Sequence, residues 1–414
     1  MYKDSNGLVK ELMIYCLAMD PIYVGSGGYT IGRVDNTIVR DPSTRLPQIP
    51  GSSVAGVWRY YTALEIHKFF KDENMRINRK ERQNKEMETI FKNDSPDWVK
   101  NFEGNRYAGI KCAGQDDAAT LTLEKSKEEN AGHCGHCIVC RSFGFSKRDV
   151  SWQGMLYFGD LRILFFPVFT RLGTKWITTE RILREAGLCS GGIDAHTDDY
   201  AADLEKCIAL DEIELENGEG KKRGYINLGW ICLPYEVSQN AAELKNTLKN
   251  IYFDCTESAQ HKFELEPKDI IMVHEGLFAQ IVNSNLEVRT SVSIDPVTGA
   301  AKPGALFTSE AIPRGTIFYG SIRIFNKSAF KGVKSSDGKL DCSQLPSVEY
   351  IEGALRDSKH FFESLGVGGM TTRGFGRMCV NIKGVGCEAK TSGASSGENH
   401  GRDTQQNGGV SKNE

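Results

Sequence analysis

The chain lacks most of what would mark a membrane, secreted or polyanion-coating protein. Its 414 residues hold no apolar run long enough to cross a bilayer. The opening segment, MYKDSNGLVKELMIYCLAMD, has neither the basic start nor the small-residue cleavage site of a secretory signal. A cytoplasmic location is therefore expected, with no membrane partner. Charge of one sign is also missing. With 51 Lys and Arg against 54 Asp and Glu, the formal net charge is −3. That balance excludes binding of nucleic acid over the whole surface and confines any such contact to a local groove. There is no G-K-S/T nucleotide loop and no fixed-period repeat, and His67, His261, His274 and His360 form no acid/base grouping along the chain.

Cysteine is the exception to this scarcity. Twelve cysteines without an export signal read as reduced thiols or metal ligands rather than a disulfide framework. Cys134, Cys137 and Cys140 form C-x2-C-x2-C, with His133 and His136 interleaved and Cys112 placed 22 positions before Cys134. Thiolates at these spacings can converge on one ion, and a soft, sulfur-rich tetrahedral set suits zinc. The bacterial iron–sulfur pattern needs another Cys four places after the last one and then Pro, where Gly144 and Phe145 stand. Cys112 is assigned as the fourth ligand, with His133 and His136 as alternatives. A fully liganded ion leaves no position for water, so the site is read as stabilising.

Periodicity organises the rest. Residues 12–19 are a continuous apolar run of strand length, and Val54, Val57, Trp58, Tyr61 and Leu64 recur at helical spacing over 53–70. Mixed charges over 71–100 predict a solvated helical insertion. Paired strands are predicted at 154–160 and 162–168, and an alternating strand at 288–295 leads into the turn 296–299. Further strands at 317–324 and 378–382 flank a helix at 347–365. The order β-α-β…β-α-β predicts an α+β, ferredoxin-like (RRM-like) core with long insertions. The main domain is expected over 1–386, interrupted by a charged and zinc-binding insert at 71–150 and an elaboration at 187–285. The tail 387–414 has no aliphatic residue larger than Val410 and is predicted to be disordered. Asp194, His196, Asp198 and Asp199 read as an acidic solvent loop rather than a metal site.

Two stretches carry the functional reading. In residues 34–59, VDNTIVRDPSTRLPQIPGSSVAGVWR, a turn at Asp35-Asn36 precedes a short β-prone run, a second turn and a helix entry at 49–53. Ser52 and Ser53 offer N-cap hydroxyls. Free N–H groups of Gly51 to Ser53, with Arg59 further along the helix, would cradle a phosphate. In residues 366–377, GVGGMTTRGFGR, the glycines would let backbone approach phosphates while Arg373 and Arg377 add charge.

These stretches closely resemble the RAMP superfamily of CRISPR systems and, within it, the backbone subunits of type III RNA-guided effector complexes. The resemblance rests on Gly32, Asp35, Asn36, Arg40, Asp41 and the run from Ile49 to Arg59. It extends to the C-x-x-C-R-x-F-G segment at 137–144, to residues 288–316 (VRTSVSIDPVTGAAKPGALFTSEAIPRGT), and to the glycine-rich loop. It covers most of 10–385 and is weakest over 187–285. It implies a β-hairpin thumb at 288–316, whose Leu306 and Phe307 fit either a tip or a core. It also implies RNA contacts at Arg40, Gly51, Ser52, Ser53, Arg59, Gly368, Gly369, Arg373, Gly374 and Arg377. Asp35 would cut target RNA with Mg2+ or another divalent cation. The implied partners are a CRISPR guide RNA, a complementary target RNA, other effector subunits and further copies of the chain, packed head to tail. A non-catalytic structural subunit and a guide-processing endoribonuclease are the alternatives.

Overall fold

A strand buried on both faces needs apolar residues at successive positions, and β1 (Val9–Ala18) is such a strand in its second half. Leu12, Ile14 and Cys16 pack in one cluster with Trp58, Tyr61, Ile351 and Leu355. Tyr15 and Leu17 join a second cluster with Leu183, Leu244, Leu248 and Phe253. The computed structural model describes residues 7–27, 34–74, 85–102, 110–113, 133–147, 150–188, 204–214, 220–221, 223–238, 242–248, 251–253, 263–332 and 344–384. The tail 387–414 and the acidic group at Asp194, His196, Asp198 and Asp199 lie outside the described residues, as do residues 75–84 of the charged insertion.

After β1 come α1 (Gly51–Lys68), the short α2 (Ile138–Phe143), β2 (Leu156–Phe158), β3 (Leu161–Thr170), β4 (Gly173–Thr178) and α3 (Glu180–Glu185). Then follow β5 (Cys207–Ala209), β6 (Arg223–Leu228), β7 (Ile231–Val237), α4 (Ala242–Leu248), β8 (Ile270–Met272) and α5 (Glu275–Ser284). The chain continues through β9 (Glu287–Ile294), β10 (Ala301–Ala311), β11 (Ile317–Phe325), α6 (Val348–Ser358) and β12 (Met378–Gly384). The large sheet runs β6–β7–β5–β8–β4–β3–β11–β1–β12, with β2 paired to β11. At one end, β12, β1, β11 and β3 are antiparallel neighbours, in unbroken register from Val9↔Phe325 to Leu17↔Ile317 between β1 and β11. Residues 187–285, expected as an elaboration of the core, supply β5 to β8 and so extend the same sheet. β9 and β10 form a separate two-stranded hairpin. No helix among the described residues is long and apolar enough to cross a membrane.

α1 and α6 pack together through Trp58, whose indole N–H lies 3.2 Å from both the Leu355 carbonyl and Ser358 Oγ. Its ring meets Phe362 edge-on, with centroids 5.0 Å apart. The helix predicted over 347–365 is divided: α6 ends at Ser358 and a short helix, Phe361–Ser364, follows. Ser358 Oγ bonds back to the Ala354 carbonyl at 2.6 Å, while Trp58 occupies the Leu355 carbonyl. Both contacts compete with the main-chain ladder where the helix stops.

Candidate functional site

Asp35 lies at the root of the β9–β10 hairpin. Its carboxylate Oδ2 accepts the Thr308 main-chain N–H at 2.7 Å and the Thr308 hydroxyl at 2.9 Å, and the Asp35 N–H donates to that hydroxyl at 3.0 Å. Asn36 N donates to the Thr308 carbonyl at 3.0 Å, and Glu310 N donates to the Asn36 carbonyl at 2.9 Å. The loop is thus laced along one strand of the hairpin. The Thr308 amide first, and its hydroxyl second, hold the exposed Asp35 carboxyl below the usual carboxylate range. Beyond this root, Val292 and Leu306 pair across the strands and are 43% and 65% exposed, and Val297 at the turn is 90% exposed. Leu306 therefore belongs to a projecting surface, not to the core.

The glycine-rich loop meets the other face of the same strand. Successive residues of a strand point to opposite sides, so β10 presents Thr308 to Asp35 and Phe307 to Arg373, whose guanidinium lies 5.8 Å from the ring centre. From β9, Arg289 donates to the Gly374 carbonyl at 3.2 Å and stacks over Phe375 at 4.7 Å. Asp35, the hairpin and the loop carrying Arg373 and Gly374 therefore come together.

Several residues expected to hold phosphate are instead committed to the protein. Arg40 pairs with Glu310 at 2.6 Å and also donates to Asn283 Oδ1 and the Ile38 carbonyl. Arg377 grips both oxygens of Asp20, at 2.6 and 3.1 Å. Gly369 N donates to the Tyr23 carbonyl at 2.9 Å, and a Cβ on Gly368 would come within 2.2 Å of that same oxygen. Here glycine serves close packing of backbone on backbone. Arg373 has no carboxylate partner among the described residues.

The start of α1 differs from expectation in the same way. Pro50 occupies the N-cap and no side chain caps the helix, so Ser52 and Ser53 do not act as caps. The Gly51 N–H donates to Asp160 Oδ1 at 2.7 Å and the Ser53 N–H to the Pro50 carbonyl at 2.9 Å. Neither N–H is free to form the predicted cradle. Gly51 is required because a Cβ there would lie 2.2 Å from the Phe158 carbonyl oxygen. Ser52 is exposed on the first turn.

The four cysteines do converge. The sulfurs of Cys112, Cys134, Cys137 and Cys140 all lie within 4.8 Å of one another, with Cys134 and Cys140 at 3.9 Å. An ion with metal–sulfur bonds of about 2.3 Å in tetrahedral geometry spaces its thiolates about 3.8 Å apart, so the set fits one zinc-sized ion. The main-chain N–H groups of Cys137 and Cys140 point at the Cys134 and Cys137 sulfurs, at 3.3 and 3.4 Å. Hydrogen bonds from Cys112, Cys134 and Cys137 pull the Cys140 thiol down, whereas burial pushes Cys137 up.

Arg59, predicted to meet phosphate, turns into this cluster. Its guanidinium donates to the carbonyls of Cys112 and Gly144, each at 2.6 Å, and lies 2.9 Å from His133 Nδ1. A guanidinium only donates, so His133 Nδ1 accepts and its lone pair is not available to a metal. His136 is likewise outside the four-sulfur set. The structure also reveals a grouping that the sequence concealed. His360 Nε2 lies 2.9 Å from buried Glu65, which Lys68 approaches at 2.7 Å. This group ties the far end of α1 to the segment after α6.

A family model for the RAMP superfamily matches residues 16–379, and the chain belongs to that superfamily. Over 47 residues it is 49% identical to the "CRISPR system Cms endoribonuclease Csm3" of Enterococcus italicus, covering 11% of this chain and 22% of that protein. The protein of the same description from Methanothermobacter thermautotrophicus is 47% identical over 53 residues, 13% of this chain and 22% of its own length. The matched segments thus span about a fifth of these curated relatives. Among solved structures, oligomeric Cmr4 from Pyrococcus furiosus aligns with a TM-score of 0.46 at 17% identity, over 91% of this chain and 98% of its own. A chain of the type III-B Cmr-beta complex in the apo state aligns at 0.47 and 15%, over 91% and 97%.

Proposed function

We propose that the chain is a guide-RNA-binding backbone subunit of a type III CRISPR effector complex, and that it cleaves guide-paired target RNA through Asp35 with Mg2+ or another divalent cation. The observation that carries this reading is the convergence at β10: an exposed, ionised carboxylate on one face and Arg373 on the other, at the root of a projecting hairpin. RNA breaks its own chain when the 2′-hydroxyl lies in line with the scissile phosphate, so much of the catalyst's work is to hold that geometry. A carboxyl whose pKa is lowered is a weak proton acceptor at neutral pH, which favours an electrostatic or metal-holding role for Asp35 over general-base catalysis. A divalent ion bound there would supply charge stabilisation at the phosphate. Thr308 fixes the carboxylate, and Arg373, which has no carboxylate partner among the described residues, offers positive charge to the RNA backbone.

In this reading the antiparallel order β12–β1–β11–β3 is a ferredoxin-like core, β9–β10 is the thumb, and the cysteine cluster holds a structural zinc. Ser52 and Arg373 are the expected RNA-facing positions that internal bonds leave most available. Partners would be the guide, the complementary target, other effector subunits and copies of this chain in a head-to-tail filament in the cytoplasm, an arrangement that heterologous contacts propagate. A second reading, a subunit that binds without cutting, is favoured by the Thr308 bonds themselves, which let Asp35 act purely as a loop lock.

Assembled complex given complementary RNA and Mg2+ separates the two. Asp35→Asn keeps an acceptor for Thr308 and removes the charge. Loss of cleavage by on the order of 100-fold or more in both Asp35→Asn and Asp35→Ala, with target binding retained, supports the nuclease. Equal cutting by wild type and both variants, or binding without cutting in all three, overturns it.

A further inference from the structure

Arg141 is a buried cation with an incomplete set of partners. It is 7% exposed, stands next to Cys140 on α2, and its Nε has no hydrogen-bond partner. No carboxylate pairs with it among the described residues. A guanidinium taken out of water without a counter-charge is costly. Its neighbour on α2, Cys140, belongs to the four-sulfur set, which is negatively charged once its thiols are deprotonated.

Arg59 approaches the same cluster from α1 and ties three points of it together: the carbonyl of Cys112, the carbonyl of Gly144 just after α2, and the ring of His133 just before Cys134. Cys112 reaches the cluster from a segment remote in sequence from the other three, and Arg59 bridges that segment to the knuckle. Four thiolates around one divalent ion carry a charge of −2, and two guanidiniums cancel it.

We infer that Arg59 and Arg141 complete the cysteine site: Arg141 neutralises its charge, and Arg59 both neutralises charge and positions Cys112. This rests on the reading of the four cysteines as a metal site. It gives Arg59 a structural task in place of the predicted phosphate contact. It also separates two kinds of loss, because charge can be restored by lysine whereas a three-point clamp cannot. An ammonium on a flexible stem does not reproduce the planar fork that reaches two carbonyls and a ring nitrogen.

The test uses the full chain purified with its metal, zinc content measured by mass spectrometry and zinc release followed with a colorimetric chelator. Removing groups that support metal ligands typically weakens metal binding 10–100-fold, so Arg141→Met and Arg59→Ala are each expected to release zinc about tenfold faster or more. Arg141→Lys should return release close to the wild-type rate, while Arg59→Lys should remain fast. Should Arg141→Met fail to fold, the two lysine variants carry the test, since both keep the charge. Zinc bound at one per chain with the same release rate in every folded variant overturns this inference alone. Absence of zinc from the wild type overturns the metal reading itself. Loss of guide-RNA affinity in Arg59→Ala with zinc release unchanged returns Arg59 to the phosphate role.

Discussion

The hairpin root and the cysteine knuckle are built by opposite means. At the hairpin, Asp35 and Arg373 are held by a few hydrogen bonds and a ring contact on either side of one strand, and the apolar residues beyond them face solvent. At the knuckle, Cys112, Cys137 and Cys140 are at most 1% exposed and Arg59 is fixed at three points. The first arrangement leaves charge where a ligand can reach it. The second encloses charge and balances it internally. Positive residues in this chain are therefore not interchangeable: Arg59, Arg40 and Arg377 are bonded to carbonyls or carboxylates of the protein, whereas Arg373 is exposed and has no carboxylate partner among the described residues.

The largest effect that can break this contrast is metal removal. A chelator that strips the knuckle should lower the thermal midpoint by about 10 °C or more, because a structural zinc contributes several kcal/mol to folding. Cys112→Ser should approach the same value, while Asp35→Ala should leave the midpoint nearly unchanged. Equal sensitivity at both places would erase the distinction. A middle-sized effect is expected at Arg40, where alanine leaves the mostly buried Glu310 carboxylate unpaired; denaturant titration should show a loss of about 2 kcal/mol, reduced from the fully buried case by the partial exposure of Arg40. Glutamine at 310 in the Arg40→Ala background should recover part of it.

The smallest effect is pH dependence at Asp35. Its folded pKa lies below the ordinary value, so its bonds to Thr308 contribute fully above the unfolded carboxylate pKa of about 3.9 and are lost as the pH falls through the folded value. Protection of the Thr308 amide, corrected for intrinsic exchange, should be flat from pH 7 to about 5 and should collapse only under more acidic conditions. A decline already near pH 6 would mean that another group controls the loop.

Much of the scaffold was legible because its signals are local. The apolar run of β1, the helical spacing of Val54, Trp58 and Tyr61, and the cysteine triad each state their structure within a few residues. What sequence could not supply was the partner of a polar group when that partner is far along the chain. The Gly51 N–H is bonded to Asp160, and the Arg59 guanidinium, expected to face a phosphate, has the Cys112 carbonyl in reach; both partners are remote in sequence. The break after Ser358 has the same origin, since Trp58 belongs to another helix. Glycine misled in a related way: Gly51 and Gly368 sit where another strand of backbone leaves no room for a Cβ, a condition that a phosphate-binding loop also imposes.

The alternation at Phe307 and Thr308 has a consequence for alignment. Asp35 and Arg373 read neighbouring residues of one strand, so a slip of β10 by a single residue would hand the carboxylate an aromatic ring and the guanidinium a hydroxyl. The two grips act as a parity check on strand register, satisfied together or not at all. The irregularity between Val292 and Ile294 sits beyond that check, on the tip side, where the hairpin is free to bend without disturbing it.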